Sequence, residues 1–124
     1  VNGVTFDTGA LIGLERRTER MKAVLAQIAH RQLPVTIPAV VVAEWYRGQR
    51  DSQRVLALAK CVEPTTEELA RIAGKALRAT GRRNTIDAIV MASAAQRGDV
   101  VYTADVDDLR VLAEEFPGVR VFAA

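Results

Sequence analysis

The sequence predicts an α/β fold, a parallel sheet covered by helices on both faces, on three observations. Short β-type runs alternate with longer stretches of helical periodicity from end to end. No linker or internal repeat divides the 124 residues, so they read as one domain, 1–124. The composition, 49% hydrophobic and 26% charged, is enough for a core of its own.

Val4-Thr5-Phe6 is a short strand that breaks at Asp7-Thr8-Gly9 and feeds an apolar helical segment, Ala10 to Leu14. From Thr18 to Arg31, Met21, Val24, Leu25 and Ile28 recur at helical spacing until Pro34 ends the helix. Val35-Thr36-Ile37 is a second strand, and Pro38 suits the first turn of a helix running to Gly48. Asp51 or Ser52 can cap a short helix through Lys60, with Cys61-Val62-Glu63 as a third strand. Thr65-Thr66-Glu67-Glu68 is a helix start, with a capping hydroxyl and acidic residues at the positive dipole end, and Gly81 closes that helix. Thr85 can cap the next helix, which terminates at Gly98. Val100 to Thr103 is a fourth strand, Val106 to Phe116 a last helix, and Val119 to Phe122 a fifth strand.

The longest uncharged stretch, Gln32 to Ala43, is too short and too proline-interrupted to span a membrane, and no signal-type segment opens the chain. A cytoplasmic protein is the expectation. Cys61, the single cysteine, cannot form an internal disulfide and is expected to be a buried thiol. The net charge of +2 is small, but only Lys22, Lys60 and Lys75 are lysine and every other basic residue is arginine, whose planar fork suits phosphate. Arg16, Arg17 and Arg20 form one cluster and Arg71, Lys75, Arg78, Arg82 and Arg83 another. The second is either a solvated helix surface or a phosphate-contacting patch. Arg82 and Arg83 precede the helix that carries Asp87, so they should lie near its N-terminal end; they are candidate phosphate contacts, or else solvated turn residues.

Four carboxylates stand out. In a doubly wound sheet, ligands bind beyond the carboxyl ends of the strands. Asp7 directly follows the first strand and Asp105 follows the fourth with one residue between, so the two meet if those strands are neighbours. Glu44 is the only charge from Ile37 to Tyr46, and a carboxylate buried there needs a cation or a proton; an intrahelical pair with Arg47 is the alternative, worth only ~0.2–0.5 kcal/mol. Asp87 is the only charge between Asn84 and Gln96, and a first-turn aspartate can serve the helix dipole alone. Converging carboxylates repel unless a divalent cation lies among them, and an oxygen-only set favours Mg²⁺ or Mn²⁺. The lone His30 suits a helix end better than a metal site. There is no zinc pattern, Walker loop or GxGxxG, and Ser52 and Ser93 lack a base that would make them nucleophiles.

Asp7-Thr8-Gly9-Ala10-Leu11, the Glu44 of Val42-Ala43-Glu44-Trp45, Ile86-Asp87-Ala88-Ile89-Val90 and Thr103-Ala104-Asp105-Val106-Asp107-Asp108-Leu109 resemble the successive acidic motifs of PIN domains, in order and spacing, over the whole chain. Within that family the chain most resembles VapC toxins of bacterial toxin–antitoxin modules. The resemblance implies a three-layer α/β/α fold, a parallel, mostly five-stranded sheet, and endonucleolytic RNA cleavage with Mg²⁺ or Mn²⁺. It also implies a homodimer and inhibition by a VapB-type antitoxin. By motif, Asp7 and Asp87 are the principal metal ligands, Glu44 and Asp105 complete the catalytic acidic site, and Asp108 is peripheral. Gly9 stands where relatives often have serine or asparagine, so a polar role at that turn, including contact with RNA, rests on Thr8; Leu109 replaces a frequent phenylalanine.

Two other classes compete. A phosphoacceptor receiver module has similar length and an acidic Mg²⁺ site, but needs a lysine after its last strand, and none follows Lys75. An inactive PIN-like binding protein would have no need to retain all four carboxylates.

Overall fold

The computed structural model describes all residues, 1–124. In chain order the elements are β1 (Val4–Phe6), α1 (Thr8–Glu15), α2 (Glu19–Arg31), β2 (Val35–Pro38), α3 (Ala39–Trp45), α4 (Ser52–Leu56), β3 (Cys61–Glu63), α5 (Glu67–Thr80), α6 (Thr85–Arg97), β4 (Val100–Thr103), α7 (Val106–Ala113) and β5 (Val121–Ala123). The strands form one sheet in the order β3-β2-β1-β4-β5, parallel at every pairing. Parallel crossovers are right-handed, so the direction reverses between β1 and β4 and places α1 to α4 on one face and α5 to α7 on the other. The three layers and five strands are those expected.

β1 and β2 are buried along their whole length, which is why Val-Thr-Phe and Val-Thr-Ile-Pro carry no charge. The middle of α6 is internal as well: Ala88 to Ala94 are all buried, and the alanines and Ser93 let it lie close on the sheet. Val4, Phe6, Leu11, Ile37, Val41, Met91 and Leu109 belong to a single core of 27 buried apolar residues.

A clasp that the sequence reading did not foresee ties the sheet to α6. Arg97 donates to Asp99 (2.9 Å), to Glu63 and to the Thr5 hydroxyl (2.7 Å), while Thr5 donates to Asp99 (2.8 Å) and Ser93 to Glu63 (2.7 Å). Asp99 is only 3% exposed, so its carboxylate takes hydrogen bonds from Arg97 and Thr5 in place of water.

Several boundaries differ from expectation, each for a local reason. α3 ends at Trp45, because the Arg47 guanidinium donates to the carbonyls of Ala43 and Tyr46 and closes the helix before Gly48. Pro38 is the last strand residue and precedes the first turn. α4 stops at Leu56, with single turns carrying the chain to Lys60, whose N–H donates to Val35. α7 stops at Ala113, and β5 begins at Val121 after the Pro117-Gly118 turn. Asn84, and not Thr85, caps α6: its side chain accepts from the Asp87 N–H at 3.1 Å. Cys61 is exposed, because β3 is an outer strand with a partner on one side only. His30 lies in the last turn of α2, exposed, as a dipole-complementing residue should. No helix is long and apolar enough to cross a membrane.

Candidate active site

The reversal between β1 and β4 opens a crevice at the carboxyl ends of those strands. Asp7 leaves β1 and caps α1, its Oδ1 accepting from the Ala10 N–H at 3.1 Å, and it is 8% exposed. Asp105 leaves β4 and starts α7; its N–H donates to the Thr103 hydroxyl at 2.9 Å, and its carboxylate makes no capping bond. Asp87 is brought in from the opposite face, in the first turn of α6, half-buried.

Glu44 arrives on α3, where the Thr8 hydroxyl donates to its Oε1. Contrary to the sequence expectation it is exposed, since it occupies the open edge of the crevice while Val41 and Trp45 turn inward. It makes no ion pair with Arg47, which is engaged with backbone carbonyls.

The carboxylates sense one another. Burial pushes Asp7 up to about 6, against hydrogen bonds from Thr103 and the Ala10 N–H that lower it, and the charge of Asp105 adds to the rise. Burial also pushes Asp87 up to about 6, reinforced by the charges of Asp7, Glu44, Asp105 and Asp108. No three of these side chains are close enough together to enclose an ion by themselves.

Beside them is a small cavity of about 160 Å³ lined by Arg82, Arg83, Asn84, Asp87, Asp108 and Leu112. Neither arginine forms an ion pair, with these aspartates or any other acid. The structure thus brings Asp7, Glu44, Asp87, Asp105 and Asp108 to one end of the sheet, with Thr8, Arg82 and Arg83 at its margin. Asn84, which fixes the first turn of α6, was the residue the sequence reading missed; its signal was an Asn three positions before an Asp, a capping spacing.

A family model of the PIN domain matches residues 4–115. The chain belongs to the PIN domain family. No curated protein sequence matches it. Among solved structures, this PIN domain is similar to VapBC2 from Rickettsia felis bound to a DNA fragment from their promoter (TM-score 0.71, 12% identity, 98% of each chain covered). It is similar to FitAcB from Neisseria gonorrhoeae (TM-score 0.70, 23% identity, 96% of each chain). DNA-bound VapBC from Salmonella typhimurium also matches, with TM-score 0.68 and 17% identity over 99% of this chain and 98% of that one. At these identities the likeness establishes the fold.

Gly9 is a feature of this PIN domain that the geometry explains. A Cβ there would lie 2.3 Å from the Ala104 Cβ and 2.8 Å from the Ala104 N, so the first turn of α1 is pressed on the turn that carries Asp105. Gly9→Ser is expected to cost about 1–3 kcal/mol, because backbone and not a flexible side-chain end must give way. Urea denaturation checks this; an unchanged midpoint would show that the two turns separate freely.

Proposed function

We propose that the protein is a metal-dependent endoribonuclease, the toxin of a VapBC-type toxin–antitoxin module. The observation that carries this reading is the gathering in one crevice of carboxylates from the ends of β1 and β4 and from α3 and α6, where burial, reinforced by neighbouring carboxylate charge, raises Asp7 and Asp87 to about 6. Such a cluster is costly unless a cation neutralises it.

The donor set fits Mg²⁺ or Mn²⁺. It is all oxygen, and a gathering too open to enclose an ion matches a metal held by one or two carboxylates with waters and substrate phosphate completing its shell. Asp7 and Asp87 are the principal ligands in this reading. When bound, the cation supplies polarisation of the scissile phosphate and acidification of the attacking water.

The chain's own residues do the rest. The capping bond from Ala10 N–H fixes the Asp7 carboxylate, and Asn84 fixes the turn that presents Asp87. Thr8 holds one oxygen of Glu44, leaving the other to orient a water or take its proton; the uncapped Asp105 is placed for the same task. In-line attack of that water on phosphorus breaks one P–O bond of the RNA strand. Arg82 and Arg83, unpaired beside Asp87, hold the phosphate backbone against the repulsion of the acids, and Thr8 contributes a polar contact. A homodimer and a VapB-type antitoxin complete the proposal.

Mapping the cut ends of defined RNAs with and without Mg²⁺ tests the activity. The Arg82→Ala/Arg83→Ala double variant is expected to bind RNA more weakly, with a salt slope about 1–2 units shallower, while single-turnover cleavage at saturating RNA changes little. Unchanged affinity and slope would mark both as solvated turn residues.

A further inference from the structure

A second basic surface lies where α1, α3 and α4 meet. Trp45 donates to Glu15 (2.9 Å), and Arg54 donates to the Leu14 and Glu15 carbonyls (3.0 and 3.3 Å) and pairs with Asp51 (2.5 Å). These bonds join the ends of α1 and α3 to the start of α4. Arg54 holds the Asp51 carboxyl below its usual range, and the charge of Arg17 adds to that, which places Arg17 at the same junction. The local acids are therefore engaged, whereas Arg16, Arg17 and Arg50 are exposed and make no ion pair. Tyr46, 47% exposed, follows Trp45 directly, its ring 6.5 Å from the indole that is bonded to Glu15 at the end of α1.

Arg17 is also held in a conformation that does not suit it. It has φ 55°, in a helix-ending motif closed by Arg17 N–H to Leu14 O and Thr18 N–H to Gly13 O, where glycine is the residue of choice. An arginine kept where glycine would be more stable points to a use for its side chain.

We propose that this junction is a second nucleic-acid contact, in which Tyr46 stacks an unpaired base and Arg17 and Arg50 hold the adjoining phosphates. An exposed aromatic ring beside a junction that carries unpaired arginines offers what binds single strands with little sequence preference, a stacking face and phosphate-holding cations. The proposal rests on the ribonuclease reading, and it gives the substrate a direction. Glu44 and Tyr46 are two residues apart at the end of α3, with Glu44 bonded to the start of α1 and Trp45 to its end. The surface thus begins about 10 Å from the acidic crevice, by the rise of a helix the length of α1. A strand leaving the crevice along α1 and α3 reaches it as single-stranded RNA.

The test is binding of a short fluorescein-labelled oligoadenylate to the full chain in EDTA, followed also by the emission of Trp45, the only tryptophan. Tyr46→Ala is expected to weaken binding about 5- to 100-fold, whereas Tyr46→Phe keeps the ring and the affinity. Arg17→Gly is expected to raise the melting temperature by about 2–5 °C while weakening binding and making the salt slope shallower by about one. Binding as in the wild type by both Tyr46→Ala and Arg17→Gly overturns the proposal. If the wild type still cleaves RNA in Mg²⁺, only this surface has failed; a wild type that neither binds nor cleaves RNA overturns the ribonuclease reading with it.

Discussion

Asp87→Asn is expected to reduce RNA cleavage by at least about a hundredfold and, in the same protein, to raise the stability of the metal-free fold at neutral pH. Both effects have one origin. Asp87 is held at about 6 by burial and by four neighbouring carboxylates, so its ionised form is the disfavoured one in the folded state. Solvent screening at this half-buried group reduces the cost, but its sign is fixed: ionising Asp87 at pH values well above 6 destabilises the metal-free fold. The folded state holds this proton more tightly than the unfolded state. Its contribution to stability is therefore complete below about pH 3.8 and lost as the pH rises through about 6. Asp7 behaves in the same direction over the same window, whereas Asp51, lowered by Arg54, contributes stability that is lost as the pH falls. Urea denaturation in EDTA at mildly acid and mildly alkaline pH separates these, because only the carboxylate cluster is relieved by Asp87→Asn. Mg²⁺ should stabilise the wild type well above pH 6 and the variant much less. Cleavage at the wild-type rate by the variant, or by the wild type in EDTA, would refute the metal-dependent mechanism.

The second large effect is expected away from the crevice. Arg97→Met should cost about 3–5 kcal/mol, since it leaves Asp99, almost fully buried, without its cation and removes the partner of Glu63. For a chain of this size that is a fall in melting temperature of about 10–25 °C. Adding Asp99→Asn to Arg97→Met should recover part of the loss, because the uncompensated charge goes with it. A double variant as unstable as Arg97→Met alone would mean that the cost is lost packing of the guanidinium stem.

Most of the architecture was legible because the signals that carry it are local. The Val-Thr-Phe and Val-Thr-Ile runs, the Thr66 cap with Glu67 and Glu68, and the stops at Gly81 and Gly98 each act within a few residues, and the structure has each of them in place. The candidate acids were legible for a related reason: Asp7 and Asp105 follow strand ends, and Glu44 and Asp87 are single charges in otherwise uncharged segments. Where the reading failed, a distant partner decided. Hydropathy placed Glu44 inside, but Thr8, thirty-six positions earlier, holds it at the open edge of the crevice. Cys61 was expected inside, but its strand lies at the edge of the sheet.

The sequence by itself determined which segments are strands and helices and that the sheet is parallel, because hydrophobic period, capping and turn chemistry are properties of neighbours along the chain. Only the tertiary structure decided that β1 and β4 lie side by side, that Asp7, Glu44, Asp87, Asp105 and Asp108 therefore repel one another, that Arg97 clasps Asp99 to Glu63, and that Gly9 has no room for a side chain. Each of these depends on groups far apart in sequence meeting at a few ångströms, and electrostatic repulsion, desolvation and close packing act on that distance alone.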